Sequence, residues 1–330
     1  MGVSLISDFS VCYQEVVSRL ESIEPCFLAR IGGSDTDLIA EYAQCLEDDN
    51  DGEAARVAAS GIERVAQFNG YYDISKSVDN AVLFCQTLIL NYRSCRDLFV
   101  GGTPWVSTYF PGSINKIHHR AVSESRELSL FRFSQFYLRS DNIVRLYPRP
   151  FAERILLGKN TLFQVMSKSL CGKRVLVISP FSDSTKANFK NRRNFIKDFD
   201  YPEFELLCFD TPVTYAGIPE RLFPHHNWHQ TLRALIVELE TFEFDIALLS
   251  CGSYAMPLGC HIRDNLKRKA IYGGGVMQLF FGIMGRRYND PYFLDQINCE
   301  AFITPLERDR YLDMMPTTDD ALREAFGAYF

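Results

Sequence analysis

The residues with the clearest chemical potential follow an apolar run near the N-terminus. Arg30 ends this run, Gly32 and Gly33 form a turn, and Ser34 and Asp35 open a stretch with helical apolar spacing. Glycines let the backbone approach a ligand closely, and the unpaired N–H groups of a first helical turn favour negative charge. The order strand, glycine turn, helix therefore predicts an anion site, and an arginine beside it could bind a phosphate.

A second candidate anion site follows a later predicted strand. Gly252, Ser253 and Tyr254 lie between that strand and a helix with Pro257 in its first turn, where proline is tolerated. Backbone N–H groups and the Ser253 hydroxyl could bind a phosphate, and the Tyr254 ring could stack on a base or a sugar. The alternative is a plain strand-to-helix turn that needs small residues.

A run of glycines marks a third junction. Gly274 and Gly275 belong to this run, and Gln278 is the polar residue of the apolar stretch that follows. Such a run indicates close approach of a ligand or of another part of the backbone. The alternative is a tight turn below a packed aromatic helix.

The junction after the predicted strand 175–178 holds Phe181, Ser182 and Lys186. A hydroxyl and a lysine at a helix start can bind a pyrophosphate, and the Phe181 ring could stack on a base or a sugar. A capped helix with a solvated basic face would explain the same residues. The loop is not a Walker A loop, because G-x-x-x-x-G-K is absent.

Other reaction classes find little support in the sequence. His225, His226 and His229 lie close together, but no carboxylate stands at the spacing of H-E-x-x-H, so we expect a surface turn there and not a metal site. The G-x-S-x-G turn of many hydrolases and the G-x-G-x-x-G dinucleotide fingerprint are both absent. These absences argue against a hydrolase triad and against a nicotinamide or flavin enzyme.

Composition limits the partners and the location. Hydrophobic residues make up 47% and charged residues 23% of the 330 residues, and the net charge is −6 without a long cationic block. Nucleic acid is therefore not expected as a partner. No apolar run reaches the roughly 20 residues of a membrane span, and the N-terminus has no signal-peptide pattern. Ten cysteines without a C-x-x-C pair predict reduced thiols and a cytoplasmic location.

Strands and helices alternate in the C-terminal half, which predicts a Rossmann-like, doubly wound and mostly parallel α/β sheet. The predicted strands there are 175–178, 204–209, 245–249 and 269–272. In such sheets a ligand lies beyond the carboxyl ends of the strands, where the strand order reverses. All the junctions described above follow strands, so they are expected at this edge.

The domain organisation predicted from these patterns is one α/β domain with a largely helical N-terminal and insert region. We expect helices over 53–69, 75–94 and about 183–198, and a connecting region with short helices over 103–158. The single domain covers 1–330 and has three parts. A first strand-helix unit with the R-x-G motif covers 1–49, a helical insert or connecting region covers 50–170, and the main β-α-β sheet covers 171–330.

These motifs together resemble the GT-D type glycosyltransferases of bacteria. That family carries R-x-G-D-G-E after its first strand and a later strand-G-x-x-A helix, matched here by the residues from Arg30 to Asp35 and from Gly252 to Ala255. A related group found with capsule and O-antigen genes reads R-I-G-G-x-E near the start and later G-G-A-x-Q-L-x-F-G-I. The run from Gly274 through Gln278 is similar to the latter.

The resemblance implies transfer of a hexosyl group from a nucleotide-diphosphate donor, in particular a UDP-sugar, to a glycan or lipid-linked glycan. The expected setting is capsule or lipopolysaccharide biosynthesis, with peripheral association to a membrane assembly machinery. Arg30 would bind the diphosphate, and Asp35 would act as the general base or as a carboxylate on Mn²⁺ or Mg²⁺. The D-x-E pair of the family is incomplete, because Gly33 replaces its Asp.

Two other functions stay open at the level of sequence. The incomplete carboxylate pair would also suit a non-catalytic protein that binds a nucleotide sugar or a glycan and assists a polysaccharide synthase. Asp210 ends a predicted strand, where an acidic residue could bind a ribose, as in a methyltransferase with a nucleotide-like cofactor.

Overall fold

The structure is a computed structural model, and the segments that it describes extend over most of the chain. These segments are residues 3–6, 8–30, 33–100, 144–148, 161–214, 218–285 and 294–309. Gly32 and the last residues of the chain lie outside them.

Eight parallel strands of the described residues form one sheet. They are β1 (Val3–Leu5), β2 (Phe27–Arg30), β3 (Asp97–Val100), β4 (Val144–Pro148), β5 (Arg174–Ser179), β6 (Glu205–Asp210), β7 (Ile246–Leu249) and β8 (Lys269–Tyr272). Their order across the sheet is β1-β4-β3-β2-β8-β7-β5-β6, and each neighbouring pair runs parallel. The predicted parallel α/β architecture is confirmed.

Helices connect most of these strands. They are α1 (Phe9–Glu21), α2 (Gly33–Glu47), α3 (Asp51–Asn69), α4 (Val78–Ser94), α5 (Leu162–Ser169), α6 (Ser182–Asn188), α7 (Trp228–Leu239), α8 (Ala255–Asp264) and the single turn α9 (Met277–Phe280). Polar residues cap several of them, as the sequence signals predict. The Asp8 carboxylate, for example, accepts a hydrogen bond from Ser10 N at 2.7 Å at the start of α1.

Two predicted elements differ from the structure. The helix expected over about 183–198 ends as α6 at Asn188 and continues as a 3₁₀ turn to Asn194. The Asn188 amide donates to Gly282 O and Ala301 O, at 3.0 and 3.1 Å, so contacts with later segments hold this end. The connecting region expected over 103–158 contains β4, which lies in the sheet between β1 and β3. The short helices expected in the rest of this region lie outside the described residues.

The sheet is buried on both faces. Leu176 and Ile178 of β5 point into one apolar core, and Val175 and Val177 point into the other, because successive side chains of a strand alternate. The first core includes α2, α3, α4, α7 and α8, and the second includes α1, α5 and α9. Continuous apolar strands such as β5 and β7 are what two buried faces require.

The strand order reverses beside β5, which pairs with β6 on one side and with β7 on the other. A second junction is the pairing of β2 with β8, which joins the N-terminal strands to the C-terminal ones. Since every pair is parallel, the carboxyl ends of β2, β8, β7 and β5 lie along one edge of the sheet. In the part of the chain that the structure describes, no helix is long and apolar enough to cross a membrane.

Candidate functional site

Arg30 lies at the carboxyl end of β2, directly beside the loop that follows β8. Its guanidinium donates a hydrogen bond from Nη1 to Gly273 O at 3.2 Å. Its own carbonyl accepts a hydrogen bond from the Tyr92 hydroxyl of α4 at 3.3 Å. The pairing of β2 with β8 brings these residues together although 243 positions separate Arg30 from Gly273. The arginine is therefore held in place from the sheet, the helix and the glycine loop.

Gly274 provides the surface against which the guanidinium packs. Its φ is +63°, a backbone conformation that residues other than glycine rarely adopt. A Cβ atom at this position would lie 1.9 Å from Arg30 Nη1. Both the backbone conformation and the space thus require glycine. The sequence predicts close approach of a ligand or of another part of the protein to this glycine run. At Gly274 the group that approaches is the Arg30 guanidinium.

Ser250, directly after β7, completes the contact between three strand ends. Its hydroxyl donates to Gly274 O at 2.9 Å. The carboxyl ends of β2, β7 and β8 are therefore connected through the same glycine loop. Ser250 begins the predicted junction after β7, but only Gly252, Ser253 and Tyr254 of that junction are expected to bind a ligand. Gly275, next in the loop, is half-buried.

Asp35 lies in the first turn of α2, which begins at Gly33 and includes Ser34. Only 2% of Asp35 is exposed. A carboxylate in the first turn of a helix is favoured by the positive end of the helix dipole. The position suits a carboxylate that stabilises the start of α2. To act on a substrate, Asp35 would have to be reached through the 2% of its surface that is exposed.

The junction after β7 is more tightly packed than the sequence predicts. Ser253 is 1% exposed, and its hydroxyl accepts a hydrogen bond from Trp228 Nε1 at 2.8 Å. Tyr254 stacks on Trp228 with ring centroids 5.4 Å apart and an interplanar angle of 12°, and its hydroxyl lies 3.2 Å from Thr214 Oγ1. Burial raises the pKa of Tyr254 well above its usual value. These contacts favour a packing role, and the predicted phosphate and stacking roles stay predictions.

Gly252 in the same junction faces protein and not an open site. Its φ is +59°, and a Cβ atom there would lie 2.5 Å from Asn69 O. Its carbonyl accepts a hydrogen bond from the Tyr272 hydroxyl at 3.2 Å. The backbone of α3 thus lies directly against Gly252, as expected for the alternative of a strand-to-helix turn that needs small residues.

A carboxylate of the protein binds the start of α6. The Glu307 carboxylate accepts hydrogen bonds from Asp183 N and Ser184 N, both at 3.0 Å, and from the Ser184 hydroxyl. Ser182 is 2% exposed and donates to the carbonyl of the last residue of β5 at 3.1 Å. The helix start at which a hydroxyl and a lysine are expected to bind a pyrophosphate therefore holds an internal anion, Glu307.

The remaining predicted residues of this edge are divided between core and surface. Phe181 and Gln278 are 4% and 3% exposed, respectively. Phe181 belongs to the same core as α1, α5 and α9, while Lys186 in α6 is exposed. Of the predicted binding residues in the described ranges, Arg30 and Gly274 are in contact, and Gly275 follows in the same loop.

Comparisons with known proteins give only distant similarities. No protein-family model matches the chain, and no curated protein matches it. Two solved structures are similar to it. One is described as a selenomethionine-substituted structure of domain of unknown function 1792, and the other as showing that this domain has a distinct glycosyltransferase fold. Identity is 11% for both, TM-scores are 0.47 and 0.46, and 94% of this chain and 94% of each other chain are covered.

Similarity at this level assigns neither a family nor an activity, and the fold stands on the strands described above. The donor set of the chain also bears on the predicted cation. No group of three or more His, Cys, Asp or Glu side chains that could hold a metal ion occurs in the ranges that the structure describes. Asp35 by itself does not fit a cation held by the protein, and a Mn²⁺ or Mg²⁺ ion here would need the phosphates of a donor as further ligands.

Proposed function

We propose that this protein transfers a sugar from a nucleotide-diphosphate donor to a hydroxyl group. The observation that carries the proposal is the fixed position of Arg30 at the carboxyl edge of the sheet, packed on Gly274 and bonded to Gly273 O at 3.2 Å. Ligands of open parallel sheets bind at this edge. A guanidinium positioned before the ligand arrives can stabilise a diphosphate leaving group without reorganising during the reaction.

Sugar transfer places two demands on the chain's own residues. The leaving diphosphate needs positive charge, which Arg30 supplies, and Ser250 keeps the loop beneath it in place through Gly274 O. The acceptor hydroxyl needs a base, and Asp35 in the first turn of α2 is the carboxylate closest to Arg30 along the chain. We assign Asp35 this role. The residues that the structure describes do not provide a donor set for a metal ion held by the protein alone.

The finer parts of the proposal come from the resemblance of the motifs. They are a UDP-sugar as donor, a glycan or lipid-linked glycan as acceptor, a role in capsule or O-antigen assembly, and a cytoplasmic location. The run from Arg30 to Asp35 and the run from Gly274 to Gln278 support them. The proposal gives no role to Ser253, Tyr254 and Ser182, because their hydroxyls hydrogen-bond to other groups of the protein.

A second candidate function is binding of a nucleotide sugar without turnover. Two observations favour it: Asp35 is only 2% exposed, and Gly33 stands where a second carboxylate would complete the pair. Such a protein would keep the Arg30 contact and lack an effective base.

Binding and turnover measured on the same preparations distinguish these functions. Purified protein is titrated with UDP and with UDP- and GDP-sugars in a calorimeter, and donor hydrolysis or transfer is followed by chromatography. We expect Arg30→Ala to weaken UDP binding about 10- to 150-fold, since a hydrogen bond to a charged group contributes about 1.5–3 kcal/mol. Arg56→Ala, on an exposed face of α3, is the matched control and should bind UDP normally.

Asp35→Asn separates the enzyme from the binder. Loss of turnover with unchanged UDP affinity supports the transferase. Saturable binding with no turnover by the natural chain supports the binding protein. If neither UDP nor any of the sugar nucleotides binds, or if Arg30→Ala binds as well as Arg56→Ala, the proposal is wrong.

A further inference from the structure

Two buried thiols face each other on the side of the sheet where α4 and α8 pack. Cys95 follows the last turn of α4, and Cys260 lies within α8, 165 positions later. Their sulfur atoms are 3.9 Å apart. Cys95 has no exposed surface and Cys260 is 5% exposed. A disulfide has a sulfur–sulfur distance of about 2.05 Å, so the two thiols are close neighbours that have not bonded.

Polar groups surround this pair, which is unusual for thiols in an apolar core. Cys95 Sγ lies 3.2 Å from Asn91 O, and Cys260 Sγ lies 3.6 Å from the same oxygen. The Ser94 hydroxyl lies 3.5 Å from Cys260 Sγ. Arg263 Nη1 lies 4.0 Å from Cys95 Sγ, and Nη2 of the same guanidinium donates to Ser94 Oγ at 2.9 Å. A hydroxyl and a cation therefore stand beside the two sulfurs.

These neighbours make the two thiols unequal. The hydrogen bond with Cys95, then the Ser94 hydroxyl and the Arg263 guanidinium, lower the pKa of Cys260, against the opposing effect of burial. Burial raises the pKa of Cys95 well above its usual value. The buried thiol of Cys85 differs: burial raises its pKa to about 12, and no cation acts on it. Cys260 also has the larger exposed surface of the two, 5% against none for Cys95, so we assign it the role of the reactive thiolate.

We infer that Cys95 and Cys260 are a peroxide-responsive dithiol that closes reversibly to a disulfide between α4 and α8. The thiolate of Cys260, which has the exposed surface, attacks one oxygen of the peroxide. An S–O bond forms, the O–O bond breaks, and hydroxide leaves. The sulfur of Cys95 then attacks the sulfenic sulfur of Cys260, and the hydroxyl group leaves as water with the thiol proton. The peroxide gains the two electrons that the thiols lose, and a thiol reductant reverses the step.

The link would stiffen the support of Arg30. Tyr92, three positions before Cys95 in α4, holds the Arg30 carbonyl, and α8 directly follows the junction after β7. A cross-link between residues 165 positions apart also removes much conformational freedom from the unfolded chain. The dithiol does not depend on the proposed transferase activity, because it rests on a different set of residues.

The test uses the full chain with Cys171→Ser and Cys299→Ser, which remove the two exposed thiols. The protein is treated with hydrogen peroxide under native conditions, quenched, digested and analysed by mass spectrometry. We expect a loss of about 2 Da and a cross-linked pair of peptides containing Cys95 and Cys260. Dithiothreitol should restore the mass. Oxidation should raise the thermal midpoint by at least about 5 °C.

Single variants test the order of events. In Cys95→Ser, dimedone should trap a sulfenic acid on Cys260; in Cys260→Ser, Cys95 should stay a thiol. Cys85→Ser, which removes a buried thiol outside the pair, should leave the cross-link unchanged. The inference is overturned if the pair stays reduced at a peroxide dose that oxidises Cys171 and Cys299 in the natural chain. It is also overturned if the cross-link forms only in urea.

Discussion

At the scale of the residue, glycines of similar sequence context meet different neighbours, and the neighbour decides the role of each. Gly274 lies against the Arg30 guanidinium, Gly252 lies against the Asn69 carbonyl, and Gly259 lies against the Phe27 ring. Only the first of these contacts belongs to the candidate site. The other two allow α3 and the sheet to pack closely against the segment after β7.

Replacing Gly274 with alanine separates this contact from backbone strain. Gly274→Ala and the control Gly172→Ala both force a side chain into positive φ, but nothing lies within 4 Å of a Cβ at Gly172. Both should lose about 1–2 kcal/mol of stability. Only Gly274→Ala should also weaken UDP binding, at least about tenfold, since it displaces the guanidinium of Arg30. Urea unfolding and calorimetry measure the two effects. Equal UDP affinities in the two variants would contradict the role of this loop.

Ser253 offers a residue-scale test of the predicted phosphate role. Ser253→Ala leaves the buried Trp228 Nε1 without its acceptor, so we expect a loss of about 1–3 kcal/mol in the free energy of unfolding. UDP affinity should stay unchanged. Ser60→Ala, an exposed serine of α3, should change stability by less than about 0.5 kcal/mol. The opposite result, normal stability with weaker UDP binding, would return Ser253 to the site.

At the scale of the element, α6 depends on residues that follow its own by 94 to 124 positions. Its first N–H groups donate to Glu307, and the amide of its last residue, Asn188, donates to Gly282 O and Ala301 O. The segment 294–309 also donates from Asn298 N to Phe195 O and accepts at Gln296 O from Lys197 N. A helix of seven residues gains most of its stability from such contacts.

Removing the carboxylate at the start of α6 should loosen this helix first. We expect Glu307→Ala to cost about 1–3 kcal/mol, because two backbone N–H groups and the Ser184 hydroxyl lose their acceptor. Glu307→Gln keeps one carbonyl oxygen and should cost less. Amide hydrogen exchange should become faster in α6 than in β5. The control is Glu300→Ala, which is exposed; a similar effect of this variant would refute the specific cap.

At the scale of the whole molecule, the two cores hold the helices on opposite faces of one sheet, and α4 and α7 share the first core. His229 of α7 lies in this contact, 7% exposed, and its Nε2 donates to Asn80 O of α4 at 3.0 Å. Burial lowers the pKa of His229 below 6.5, and Arg233 acts in the same direction. Burial between α4 and α7 therefore favours the neutral ring, against the opposing effect of the hydrogen bond to Asn80 O.

This contact makes the stability of the molecule dependent on pH. The unfolded chain binds a proton at His229 more readily than the folded chain does. The contribution of the neutral His229 ring to the free energy of unfolding is therefore complete above about pH 6.5. It decreases as the pH falls towards the lowered value in the folded state. Urea midpoints at pH 7.5 and 5.5 measure this change. His229→Gln should reduce the slope, whereas His226→Gln, on the surface, should keep it. An unchanged slope in His229→Gln would mean that other groups cause it.

Much of the architecture could be predicted because its signals are local. The apolar runs of β5 and β7 need two buried faces, the Asp8 cap marks the start of α1, and the strand-helix alternation requires parallel crossovers. β4 could not be predicted, since five residues that end in proline carry little pattern of their own. Pairing with β3 and β1 makes this segment a strand.

The candidate site divides in the same way. The sequence by itself determined that glycine junctions follow parallel strands, because residue type and the order of elements are properties of neighbours along the chain. Only the tertiary structure decided that Arg30 meets Gly274 and Ser250, that Trp228 covers Ser253, and that Glu307 binds the start of α6. Each of these contacts joins residues far apart in sequence. Their formation depends on strand order and on which face of each element is buried, and neither is written in any local pattern.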